Sequence, residues 1–140
     1  MNYQIIQVPI LPLNIVNAFI IKYSGGCIVV DSGVPHSEHK FEKILKLHDL
    51  NFSDIKYIVI THAHIDHAGN AKKLQQLSCS KFNGIKTIVA KIIAHEGDLP
   101  YYQGEKKMTF CATSWFAKLF FKTGMVTKKY PSFTPDILLK

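Results

Sequence analysis

The chain has 140 residues, of which 47% are hydrophobic, and carries a formal net charge of +7. That length and apolar share suit one domain with its own core and argue against a disordered chain. No run reaches the roughly 18 uninterrupted apolar residues of a membrane helix, and no basic region precedes a hydrophobic run at the N-terminus, so the expectation is a cytoplasmic protein without a signal peptide or membrane partner.

Residues 4–10 (QIIQVPI) read as a first strand. Residues 17–31 hold two apolar runs separated by Ser24-Gly25-Gly26, a hairpin signal in which the glycines supply the turn. Pro35 to Leu50 reads as a helix, because Phe41, Ile44, Leu45 and His48 recur at helical spacing; Ser37 is its expected N-cap. Asp54 to Ile60 is β-branched and apolar, as a strand buried on both faces would be. After the loop Thr61–Gly69, Ala71 to Leu77 restarts a helix with Leu74 and Leu77 inward. Lys86 to Ala94 reads as one strand, ended by Gly97-Asp98-Leu99-Pro100. From Met108 to Phe121 the chain is rich in aromatics, and Ala112, Trp115, Phe116, Leu119 and Phe120 form one helical face. That face reads first as ordinary core packing and second as a lid over a substrate. Strands and helices alternate, so the class is α/β, with helices covering a sheet.

The basic residues are all Lys, and the segment from Glu105 onward carries +5 of the +7. Readers of nucleic acid favour the bidentate Arg fork, so this charge weighs against a nucleic-acid partner and reads as a solvated surface. Cys27, Cys79 and Cys111 are odd in number and scattered, which fits free thiols rather than a disulfide framework.

The chemistry lies in Thr61-His62-Ala63-His64-Ile65-Asp66-His67-Ala68-Gly69, an HxHxDH pattern directly after a strand. In extended chain, side chains at i and i+2 share a side, so His62 and His64 can present two imidazoles to one ion. Asp66 and His67 follow where the chain turns into a helix and can face a second position. Imidazole with carboxylate suits Zn²⁺, and two metals about 3.5–4 Å apart can activate one water. Gly69 leaves backbone room as the loop enters the helix. A merely solvated loop would not need this spacing. The expectation is that His62, His64, Asp66 and His67 gather on one loop at the end of a strand.

With these residues the sequence resembles the metallo-β-lactamase superfamily, whose signature is HxHxDHxG. Asn17-Ala18-Phe19-Ile20-Ile21 is similar to an N-terminal strand of that family, Ile28-Val29-Val30-Asp31-Ser32-Gly33 to its "L-I-D-T-G" segment, and His95-Glu96 to its "A-H-E". The resemblance runs from about residue 5 to 100 and is closest in style to glyoxalase II and lactonase-like hydrolases. His64 stands where redox-type relatives often carry Glu, which favours the hydrolytic branch.

The resemblance implies the N-terminal half of an αββα sandwich, a mixed sheet covered by helices. It implies a metal-dependent hydrolase of a small-molecule ester, thioester, lactone or similar bond, acting through metal-bound hydroxide. His62 and His64 would bind one Zn²⁺, and Asp66 and His67 a second, with Fe or Mn as other metals; Asp66 is also the catalytic candidate. Asp31 would steady the metal loop from behind, with a plain strand-end turn as its other reading. His95 is expected to be structural, and His36, His39 and His48 solvated.

The departure lies after His67. The family supplies a His, an acidic bridge and a second His from its C-terminal half, and here only His95, Glu96, Asp98, Glu105 and Asp136 remain, none in a matching context. The chain therefore reads as a partial domain, with residues 1–100 giving sheet, helices and metal loop and 101–140 a truncated connector. A non-catalytic remnant and an RNA-processing nuclease of the same fold are the alternatives. Self-association through an uncovered sheet face is a further expectation.

Overall fold

The structure, a computed structural model, describes residues 2–82, 85–88, 90–107 and 130–140, with the backbone alone for 80–82 and 85–88. The aromatic segment around Trp115 and Phe116, and Cys111, lie outside the described residues.

Six strands form one mixed sheet: β1 (Gln4–Pro9), β2 (Asn17–Tyr23), β3 (Gly26–Val30), β4 (Ile55–Val59), β7 (Lys91–His95) and β8 (Ile137–Leu139), in the order β1-β2-β3-β4-β7-β8. The first three are joined antiparallel, as short connections allow; β3, β4, β7 and β8 run parallel, which requires crossovers. The first crossover is helix α1 (Glu38–Leu47), and the second contains α2 (Ile65–Ala68) and α3 (Ala71–Leu77). A separate pair, β5 (Ser80–Phe82) with β6 (Ile85–Ile88), lies in that second crossover. Helix α4 (Leu99–Tyr102) follows β7.

The period-2 rule sorts the sheet residues into two faces. Ile6, Ile20, Val29, Ile58 and Ile92 are cross-strand partners in one row, and all are buried. Phe41 and Leu45 of α1 and Ala71 and Leu74 of α3 complete this core. The opposite face is also apolar. Its row Phe19–Val30–Val59–Ile93–Ile137 runs across five strands, beside Ile5–Ile21–Ile28–Tyr57. Here Ile5 is 61% exposed, Phe19 40% and Tyr57 38%.

That difference corrects one expectation. The apolar sequence of β4 predicts burial on both faces, yet only Ile55, Ile58 and the following Ile60 are fully inside. A bulge at Lys56 puts Ile55 on the same side as Ile58, so Ile55 pairs with Cys27 and Tyr57 with Ile28. The helices cover one side of the sheet, and Tyr57 and Val59 face the other.

The single strand expected over 86–94 is two strands in two sheets. Ala90, buried, leaves the ladder: its N–H donates to Ser78 Oγ at 2.9 Å and its carbonyl accepts from Gln75 Nε2 at 3.0 Å. The end of α3 thus claims the hydrogen bonds that would have continued one strand. Helix α1 is shorter than 35–50 and begins after Ser37, whose hydroxyl donates back to Val34 O rather than capping the helix. Leu77 is only half-buried, whereas Ala71 and Leu74 are fully inside. Among the described residues, no helix is long and apolar enough to cross a membrane.

Candidate metal centre

The HxHxDH loop leaves the C-terminal end of β4, where parallel α/β sheets hold their sites. Ala63 is buried, so the extended chain turns its two neighbours the other way. His62 Nε2 and His64 Nδ1 stand 3.1 Å apart, and the rings meet edge to face with centroids 4.6 Å apart. His64 then caps α2, its carbonyl accepting from Ala68 N at 2.8 Å. The α2 turn brings the His67 ring to 4.0 Å from that of His62. Asp66 Oδ2 lies 3.5 Å from His67 Nε2.

Asp31 organises this group from the end of β3. It sits at φ 61, a left-handed conformation that Asp tolerates better than most residues, and it is nearly buried. Its Oδ1 accepts from the Thr61 N–H and hydroxyl, both at 2.9 Å, and its Oδ2 lies 2.8 Å from His67 Nδ1. Burial pushes its pKa up, but the hydrogen bonds from His67 and Thr61 outweigh that, so the carboxyl stays below its ordinary range. The same contact raises His67 above its ordinary value against the opposing effect of burial, with the Asp31 and Asp66 charges helping. His62 is lowered by burial and then by the neighbouring His67 and His64.

Tautomers follow from donor counting. The Thr61 hydroxyl has one proton, which Asp31, an acceptor only, takes. The same oxygen, 3.0 Å from His62 Nδ1, therefore accepts from that nitrogen. His67 likewise donates from Nδ1 to Asp31. Both imidazoles thus carry hydrogen on Nδ1, which makes Nε2 the nitrogen that each ring, once neutral, offers to a metal.

Residues beyond the sequence-predicted set complete the frame. Ser32, fully buried, donates from its hydroxyl to His67 O at 2.8 Å and accepts from Asn70 N at 3.1 Å, tying the ends of α2 to β3. Asp98 accepts from Ala63 N at 3.0 Å, and Tyr130 donates to Ala63 O at 2.9 Å. Burial, and then the Asp98 charge, push the Tyr130 phenol up to about 12, so it stays a donor at neutral pH. Thr61 and Ser32 adjoin recognisable segments and could have been suspected. Asp98 and Tyr130 lie 35 and 67 positions from Ala63, and no local signal marks them. His95 Nδ1 accepts from Gly97 N at 3.0 Å and caps the turn carrying Asp98. His36 and His39 are exposed, and His48 is half-buried.

The donors suit a divalent metal in chemistry and nearly in spacing. Two nitrogens bound to one tetrahedral zinc at 2.0–2.1 Å lie about 3.3–3.4 Å apart, close to the His62–His64 separation. Among the described residues, no three His, Cys, Asp or Glu side chains form a set that could hold an ion. What the loop offers is a pair of donors, His62 with His64, beside a second pair, Asp66 with His67.

Residues 11–78 match the family model described as the metallo-beta-lactamase superfamily, and the six-strand architecture is that of the N-terminal part of that fold. Among solved structures, the chain is similar to a metallo-beta-lactamase HARLDQ-motif mutant of Cronobacter sakazakii, at 20% identity and a TM-score of 0.65 over 89% of this chain and 40% of that one. It is similar to BJP-1, a subclass B3 metallo-beta-lactamase of Bradyrhizobium japonicum, at 23% identity and a TM-score of 0.61 over 89% and 39%. It is also similar to MEM-A1, a subclass B3 metallo-beta-lactamase from a soil metagenome library, at 27% identity and a TM-score of 0.52 over 63% and 30%. The chain spans about two fifths of the length of the first two. No curated protein matches it.

Proposed function

We propose that this chain carries the metal-binding loop of a metal-dependent hydrolase that opens an ester, thioester, lactone or related carbonyl bond in a small molecule, with two zinc ions in the complete site. The observation that carries the reading is the convergence of His62, His64 and His67 with Asp66 at the end of β4, with Asp31 behind them. The similarity to metallo-beta-lactamases in fold supports the same chemistry and adds β-lactams to the substrates worth assaying.

His62 and His64 would hold one metal, and Asp66 and His67 a second. Zinc in such a site lowers the pKa of a water and polarises a carbonyl. The chain's own part is to keep hydrogen on Nδ1 of His62 and His67, to hold both rings with Thr61 and Asp31, and to place Asp66 where it can orient a polar hydrogen of the reacting group.

The test is elemental analysis and zinc competition on the purified chain, beside the double variant His62→Ala/His64→Ala, followed by hydrolysis assays on thioesters, lactones and β-lactams. Zinc uptake that the double variant lacks is the expected result. Equal uptake by both proteins would sink the metal assignment. Uptake without turnover on any substrate would favour the non-catalytic reading, and salt-sensitive RNA binding with cleavage the nuclease reading.

A further inference from the structure

Ala63 is the residue between the two histidines, and both peptide units that flank it are held from outside the loop. The His62–Ala63 peptide gives its N–H to the Asp98 carboxylate at 3.0 Å. The Ala63–His64 peptide gives its carbonyl to the Tyr130 hydroxyl at 2.9 Å. Each peptide plane carries the Cα of one histidine, so fixing both planes fixes the directions in which the two imidazoles leave the chain.

The two anchors are themselves braced. Asp98 ends a turn capped by His95 and begins α4, whose Tyr102 is fully buried. Tyr102 packs on Phe133 with ring centroids 5.2 Å apart, and Phe133 N donates to Tyr102 O at 3.0 Å. Tyr130 also neighbours Phe133, with ring centroids 6.3 Å apart. Residues 96–102 and 130–133 thus form one aromatic block applied to the back of the metal loop. The Ala63 amide and carbonyl have left the sheet ladder, and buried backbone groups need partners. The Asp98 carboxylate also places a negative charge behind the donors.

We propose that Asp98 and Tyr130 are a positioning pair, a latch on the Ala63 peptides that sets the separation and orientation of His62 and His64. The role rests on the metal reading above, while the latch itself can be measured without metal. Neither residue would touch the ion or the substrate.

The experiment uses the full chain and the variants Asp98→Ala, Asp98→Asn and Tyr130→Phe. Amide hydrogen exchange of the metal-free proteins is read at Ala63 and, as a reference for global stability, at Val29 and Ile58. Zinc affinity is read by competition with a chromophoric chelator, and ligand geometry by the visible spectrum of the Co²⁺-loaded proteins. Asp98→Ala should lose Ala63 protection while Val29 and Ile58 keep theirs, and Asp98→Asn, which retains an acceptor, should preserve it. Zinc affinity should fall about 10–100-fold in Asp98→Ala, as when outer hydrogen-bond partners of metal ligands are removed. It should fall less in Tyr130→Phe and recover largely in Asp98→Asn, and the Co²⁺ bands should shift in Asp98→Ala. Unchanged Ala63 protection in Asp98→Ala would overturn the latch. So would a loss shared equally by Val29 and Ile58, which would mark general destabilisation. If Ala63 protection follows the latch but the unaltered chain binds no zinc, the metal reading fails while the latch stands. If zinc binds the unaltered chain and Asp98→Ala with equal affinity and spectrum, the positioning role fails while the metal reading stands.

Discussion

Oδ2 of Asp31 and Nδ1 of His67 lie 2.8 Å apart, joining the end of β3 to the last residue of the HxHxDH loop across 36 positions of sequence. The contact explains why a carboxylate stands nearly buried at the head of a strand. It also makes Asp31 the residue whose loss should disturb the loop most. Asp31→Ala removes the acceptor for Thr61 N–H, the Thr61 hydroxyl and His67, and puts Ala at φ 61. Thr61 is exposed and His67 half-buried, so the stranded donors can reach water in part, and a loss of about 1–2 kcal/mol is expected in urea unfolding. Asp31→Asn should cost less, because Asn tolerates that conformation and keeps one acceptor oxygen. Equal stability of Asp31→Ala and the parent would contradict this account.

The same pair predicts a pH profile for the metal-free protein. Asp31 is held below its ordinary 3.8, so its contribution is present above that pH and is lost as the pH falls through the folded value. His67 is held above its ordinary 6.5, so its contribution is present below that pH and is lost as the pH rises through the folded value. Both are in place between about 3.8 and 6.5. Stability relative to Asp31→Asn should therefore be greatest in that window and shrink on either side. A difference that stays flat to alkaline pH would show that the imidazolium–carboxylate pair contributes nothing.

Zinc binding by the isolated chain should be weak or below two equivalents. The loop offers two donors for each position, whereas a catalytic zinc normally takes three from protein. Dialysis followed by elemental analysis decides the matter, and two tightly held equivalents per chain would mean that further donors, from this chain or a second copy, complete the sites.

Gly69 should not accept a side chain. A Cβ there would stand 2.6 Å from Pro35 Cδ and 3.0 Å from Gly33 O, against backbone on one side and a rigid ring on the other. Gly69→Ala should destabilise by about 1–3 kcal/mol, the range for forced overpacking. Thermal melting would check this, and an unchanged melting temperature would show that the α2 end can move away from β3.

The open face of the sheet should make the isolated chain self-associate. Phe19 and Tyr57 stand among Ile5, Ile21, Ile28, Val30 and Val59, a contiguous apolar surface of the kind that marks an interaction site. Gel filtration should show an apparent mass that rises with concentration. The double variant Phe19→Lys/Tyr57→Lys should reduce that rise, since the charges leave the helix-covered core untouched. A monomer at every concentration would refute the expectation.

Local pattern was enough to place much of this protein. The apolar runs on either side of the glycine pair located β2 and β3, the stretch at residues 4–10 located β1, and the spacing of Phe41 and Leu45 located α1, because each signal depends on residues close in sequence. The position of the HxHxDH loop was legible for the same reason, since a strand followed by a turn fixes which side each His takes. The sequence did not reveal what closes that loop from a distance. The Asp98 and Tyr130 bonds to Ala63, the Ser32 bridge to His67 and Asn70, and the division of residues 86–94 at Ala90 all depend on groups brought together by the chain's path. The two faces of β4 show the limit most plainly. Residues 54–60 are apolar throughout, and apolarity states only that a side chain can be buried. Which side of the sheet receives helices is decided by the crossovers, and they put α1 and α3 over Ile58 and leave Tyr57 open.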